Sequence, residues 1–112
     1  MPKNNSYEFD FIVIELVDYY LRIRSERLKD LAMLLNVRED YVRKIHSHSN
    51  KKRYTLKQIY VIANAWGKDV SQFLPSIENL NNITKYKNYS LEEKIEILKE
   101  VENKILEADI SE

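Results

Sequence analysis

The chain of 112 residues contains a single glycine, Gly67, and two prolines, Pro2 and Pro75. So few residues that reverse or break the backbone cannot build the many tight turns of a β-fold. Apolar residues recur instead at spacings of three and four, the signature of helices. Ile12, Val13, Leu16, Val17, Tyr20 and Ile23 predict a first helix from about Phe9 to Arg24, with Ser6 or Asp10 at its start. SERLKDLAMLL predicts a second, with Ser25 as N-cap and Leu28, Leu31, Ala32, Leu34 and Leu35 inward. Asn36 ends it, because Asn tolerates the left-handed backbone that a helix C-terminus needs. REDYVRKI predicts a third, anchored by Val42 and Ile45.

HSHSNKKRY follows as a polar, basic loop in which His46 and His48 read as exposed. Thr55 caps a fourth helix with Leu56, Ile59, Ile62, Ala63 and Trp66 on its core face, and Gly67 stops it. Asp69 caps a short fifth helix, VSQFL, before Pro75. Residues 76–90 have weak periodicity and predict a linker, or a tail strapped over the domain. Ser90 and Glu93 form a capping box that opens a last amphipathic helix, with Leu91, Ile95, Leu98, Val101 and Ile105 as its apolar positions. The predicted organisation is all-α: a loose N-terminus over 1–8, a helical domain over 9–75, the linker, and a C-terminal helix over 91–112.

Composition removes several function classes. No cysteine means no disulfide, no thiolate nucleophile and no Cys-ligated zinc. With two histidines besides, neither a metal nor another cofactor is expected. One glycine excludes a Gly-rich phosphate loop, and no Ser/His/Asp set emerges, so an enzyme is not expected. No apolar run approaches the roughly 20 residues that span a bilayer. MPKNNSYEFD lacks the apolar core of a signal peptide, so the expectation is a cytoplasmic protein without membrane contact.

Formal net charge is zero, yet the charge is segregated. Residues 38–54 carry net +4, and residues 76–112 carry net −4. Phosphate attraction is screened over about 8–10 Å, so a local patch matters more than the total. Arg38, Arg43, Lys44, Lys51, Lys52 and Arg53 make the basic stretch, but Glu39 and Asp40 stand at the start of the third helix.

The segments LKDLAMLLNVREDYVRKI and TLKQIYVIANAWGKDVSQFL resemble the phage-repressor-like helix-turn-helix family of Cro and lambda-repressor type. The resemblance runs from about Phe9 to Leu74 and rests on Leu31, Ala32, Leu35, Val37, Tyr41, Val42, Lys44, Ile45, Leu56, Ile62, Ala63, Ala65, Gly67 and Leu74. It implies a five-helix lambda-repressor-like domain, followed here by the C-terminal helix, and a transcriptional regulator bound to double-stranded DNA. The third helix then enters a major groove about 12 Å wide. Glu39, Asp40 and Lys44 fall where base edges are read, and Arg38 and Arg43 where phosphates are met. Lys51, Lys52 and Arg53 run along the backbone, and Tyr41 and Tyr54 flank the stretch, where they could pack on sugar or phosphate.

The chain departs from the pattern at Asn36 for glycine, at Leu28 for a glutamine phosphate clamp, and in a loop two residues longer. Its largest departure is Glu39-Asp40, carboxylates that accept from cytosine and are repelled by phosphate. Leu91, Leu98 and Ile105 are spaced by sevens, so the C-terminal helix reads either as an amphipathic helix packed on its own domain or as a dimer arm; related repressors act as dimers, and a homodimer through it is expected. The alternative is a protein-interaction module on the same fold (antirepressor, adaptor or antitoxin) whose acidic tail holds a basic partner.

Overall fold

The computed structural model describes residues 7–48 and 52–111. They form α1 (Tyr7–Ile23), α2 (Leu28–Leu35), α3 (Glu39–His46), α4 (Leu56–Ala65), a 3-10 helix (Val70–Phe73), α5 (Ile77–Leu80) and α6 (Leu91–Ser111). No strand occurs among the described residues, and none of these helices is long and apolar enough to cross a membrane. Of the predicted loose N-terminus, residues 1–6 lie outside the description, and Tyr7 and Glu8 already belong to α1.

The centre of the molecule is α1. Ile12, Val13, Ile14, Leu16, Val17, Tyr20 and Leu21 are all buried, which covers more of its circumference than a one-sided surface helix would. Ile23, expected inside, is exposed, because the helix ends there and the chain turns away. The 3-10 helix and α3 pack on α1, and α2 packs on both α3 and α4.

The scarcity of glycine shows in how the helices end. Ser25 closes α1 with φ 57°, Asn36 closes α2 with φ 58°, and Gly67 closes α4 with φ 67°. Each makes the same pair of closing bonds. Glu26 N–H donates to Leu21 O at 3.1 Å, Val37 N–H to Ala32 O at 3.0 Å, and Lys68 N–H to Ala63 O at 2.9 Å. The N–H of the residue before each donor reaches back three residues instead of five, completing a Schellman motif. Ser25 therefore terminates α1 and does not cap α2. The cap position is Arg27, whose N–H is accepted by Asp30 Oδ2 at 2.8 Å.

Of the two expectations for residues 76–90, the packing matches a tail strapped over the domain rather than a linker. Leu80, Ile83 and Tyr86 are fully buried, as deep as anything in α1. The segment winds in successive three-residue turns: Ile83 N–H donates to Leu80 O, Tyr86 N–H to Ile83 O, and Tyr89 N–H to Tyr86 O. Its apolar side chains therefore recur every three residues, a period a search for 3.6 overlooks. Asn79 locks it down, its Nδ2 donating to Ser71 O at 2.9 Å and Leu74 O at 2.7 Å. The buried Tyr86 hydroxyl donates to Glu8, tying the segment to the first turn of α1.

The capping box at the start of α6 forms as its residues predict, with Glu93 N–H donating to Ser90 Oγ at 3.1 Å. The helix then lies on its own domain: Val101 is buried, and Ile97, Leu98 and Ile105 pack against the core. Two of the three residues spaced by sevens are thus engaged within the chain. Leu91, the third, stays exposed with Ile95 and Leu106.

Candidate nucleic-acid interface

The connection from α2 to α3 is three residues long. Asn36 takes the left-handed turn, Val37 half-buries its side chain, and Arg38 is extended at the N-cap of α3. Arg38 provides no side-chain cap, so its guanidinium stays in solvent. Val42 and Ile45 hold the inner face of α3 at 0% and 1% exposure. The outer face carries Glu39, Asp40, Arg43 and Lys44, all exposed.

Those four charges do not stand apart. Arg43 pairs with Glu39 one turn away, and Lys44 Nζ pairs with Asp40 at 3.2 Å. Both pairs run from an acid to a base four residues on, the favourable orientation along a helix. The outer face is consequently neutral as a whole. The acids also sit at the positive end of the helix dipole. The i,i+4 spacing carried the signal for this pairing.

Within α3, Tyr41 is half-buried. Gln58 Nε2 donates to its hydroxyl at 3.4 Å, and Lys52 Nζ lies 5.8 Å from its ring centroid. Arg53 turns toward α1, with Nε 4.0 Å from Asp10 Oδ2. Burial raises the Asp10 carboxyl pKa, and Arg53 opposes that rise. Arg38, Lys52 and Arg53 are all exposed and flank α3; Lys51 lies outside the described residues.

The histidines overturn their expected place. His46 is the last residue of α3, with only 8% of its side chain exposed. Its Nε2 lies 2.6 Å from the Tyr54 hydroxyl, and its Nδ1 lies 3.9 Å from Asp18 on α1. Burial pulls its pKa down to about 4, against the pull of Asp18 and with a small push from His48. The ring is therefore neutral and shares a hydrogen bond with the Tyr54 hydroxyl, whose direction follows the tautomer. His48 takes a positive φ and sets Nε2 2.9 Å from Glu15 Oε2, also on α1, while its ring lies against Phe11 at 4.9 Å. Both histidines fix the end of α3 to the central helix.

Tyr54 belongs to that inner cluster. It is buried, its hydroxyl pKa is raised by burial, and it is not free to pack on sugar or phosphate. Leu56 corrects the other way: it sits on the outside at 69% exposure, although its position in the α4 pattern predicts core.

Compared with known proteins, the chain matches no family model, no curated protein and no solved structure.

The chemistry open to this surface is that of contact. Among the described residues no group of three or more His, Cys, Asp or Glu could hold a metal ion. Acidic and basic side chains on a short projecting helix, flanked by further cations, can exchange their partners for groups of a ligand.

Proposed function

We propose that the chain is a sequence-specific DNA-binding regulator of the lambda-repressor-like helix-turn-helix type, with α3 as the helix that enters the major groove. One observation carries this reading: the left-handed turn at Asn36 presents a helix whose inner face is wholly buried and whose outer face is wholly charged. Such a helix is held rigidly and offers donors and acceptors to base edges. Lys44 suits guanine, and Glu39 and Asp40 suit the cytosine amino group. Arg38, Arg43, Lys52 and Arg53 suit phosphates, which supply affinity without sequence preference.

The ion pairs on α3 temper this surface. An exposed pair contributes about 0–1 kcal/mol, so DNA can replace it at small cost. Binding is then modest in affinity and steep in its dependence on salt. A second reading rests on the same neutral face together with the acidic C-terminal stretch: a module that binds a basic protein partner through α6.

Selection from a random duplex pool, at low and then physiological salt, tests both. A recovered motif supports the first reading, and a palindromic motif adds a homodimer. Motif-free binding that vanishes by physiological salt overturns it and turns attention to the acidic surface.

A further inference from the structure

We propose that the apolar cavity between the first turn of α1 and α4 binds a compact organic cation, an ammonium group on a small apolar body, with the Asp10 carboxylate as counter-ion. The cavity measures about 260 Å³ and is lined by Phe9, Asp10, Val13, Tyr54, Ile59 and Leu74. Drug-sized pockets run to roughly 300–1,000 Å³, so this one suits a small guest. Leu56 stands at its mouth, lining the cavity yet 69% exposed. An apolar side chain left in water at that place gains contact when a guest arrives.

The polar groups of the lining decide the class of guest. The Tyr54 hydroxyl is engaged with His46 at 2.6 Å. Asp10 is the one charged side chain of the lining. Among the described residues nothing donates a hydrogen bond to it, and its cationic partner is Arg53 Nε at 4.0 Å, beyond hydrogen-bond reach. A carboxylate that has lost much of its water, without a close partner, gains most from a cation that can donate directly to it. An anion is repelled there, and a neutral guest forgoes the charge.

Three probes of one shape test the site: benzylammonium, benzyl alcohol and phenylacetate, followed by calorimetry and by backbone-amide NMR. Benzylammonium is expected to bind about tenfold tighter than benzyl alcohol, in line with a charge-assisted hydrogen bond. Phenylacetate is expected not to bind. Amide shifts should centre on Phe9, Asp10, Val13 and Ile59. Asp10→Asn should abolish the preference for the ammonium. Arg53→Gln, which removes the competing guanidinium from an exposed position, should retain or tighten binding. Equal affinity for ammonium and alcohol, shifts centred elsewhere, a preference that survives Asp10→Asn, or weaker binding by Arg53→Gln would each overturn the site. The titration contains no DNA, so its outcome is independent of the role proposed for α3.

Discussion

The two sides of α3 use the same kinds of residue to opposite ends. On the outer side, Arg43 pairs with Glu39 while 61% of its side chain stays exposed. On the inner side, His46 faces Tyr54 and Asp18 with 8% exposed. Water screens the outer pairs and makes them cheap to exchange. The contact between His46 and the buried Tyr54 has little water to fall back on, so its loss leaves buried polar groups unmatched. The difference separates adaptability from placement: the inner side sets where α3 points, and the outer side is free to trade partners. The contrast breaks most visibly at Ile45, which is 1% exposed. Ile45→Ala should cost about 2–5 kcal/mol in urea unfolding, whereas Arg43→Ala should stay within roughly 0.5 kcal/mol. Similar losses for the two variants would erase the distinction.

Acid sharpens the comparison next. His46 has its pKa pulled from 6.5 to about 4 by burial, which keeps the folded ring neutral. Above pH 6.5 the ring is neutral folded and unfolded, and its contribution is fully present. Between 6.5 and about 4 the unfolded chain takes up a proton that the folded chain refuses, so stability falls as pH falls. The whole window is worth about 3 kcal/mol, of which about 2 kcal/mol is gone by pH 5. Asp10 works the other way: its raised pKa means that the folded state holds its proton more tightly, adding stability as pH drops. Comparing urea midpoints at pH 7 and pH 5 in wild type and His46→Gln isolates the histidine. The wild type should lose more, and parallel losses would remove His46 as the source.

Much of the fold could be anticipated because the longer helices keep a 3.6-residue stripe, and α4 and α6 begin with a residue that caps. Thr55 and Ser90 each receive the amide three residues on, as their spacing predicts. What escaped was structure built on another period or on distant partners. Leu80, Ile83 and Tyr86 follow a three-residue period, so a core segment read only as weakly periodic, a linker or a strapped tail. His48 finds Glu15 across 33 residues, and nothing local marks that contact. Ser25 in a left-handed turn looks like a helix cap because Ser is common there and glycine is the usual terminator. Within the candidate site, the helix brings Glu39, Asp40, Arg43 and Lys44 to one face as their spacing requires. The turn of Arg53 toward Asp10 depends on the packing of α1, which a basic run cannot reveal.

The outer side should respond to salt as the inner side does not. If Arg38 and Lys52 meet phosphates, each contributes about 0.9 to the slope of log affinity against log salt. Arg38→Ala combined with Lys52→Ala should lower that slope by roughly 2 and weaken binding about tenfold at physiological salt, on every sequence alike. Fluorescence anisotropy with a labelled duplex over a range of salt measures it. An unchanged slope would take both residues out of the interface, leaving the thermal stability of the variant as its only readout.

The smallest effect bears most directly on how α3 trades partners. A double-mutant cycle on Glu39 and Arg43, and another on Asp40 and Lys44, should each give a coupling of about 0.3–0.5 kcal/mol in unfolding experiments at low salt. High salt should reduce both couplings, because the four side chains are exposed. A coupling this weak is less than a hydrogen bond to a charged group typically supplies, about 1.5–3 kcal/mol. A guanine edge could then draw Lys44 away from Asp40, leaving that carboxylate to find a cytosine amino group. Couplings several times larger, or insensitive to salt, would mean that the pairs lock the face of α3, and a helix locked in that way would present a neutral surface to any polyanion.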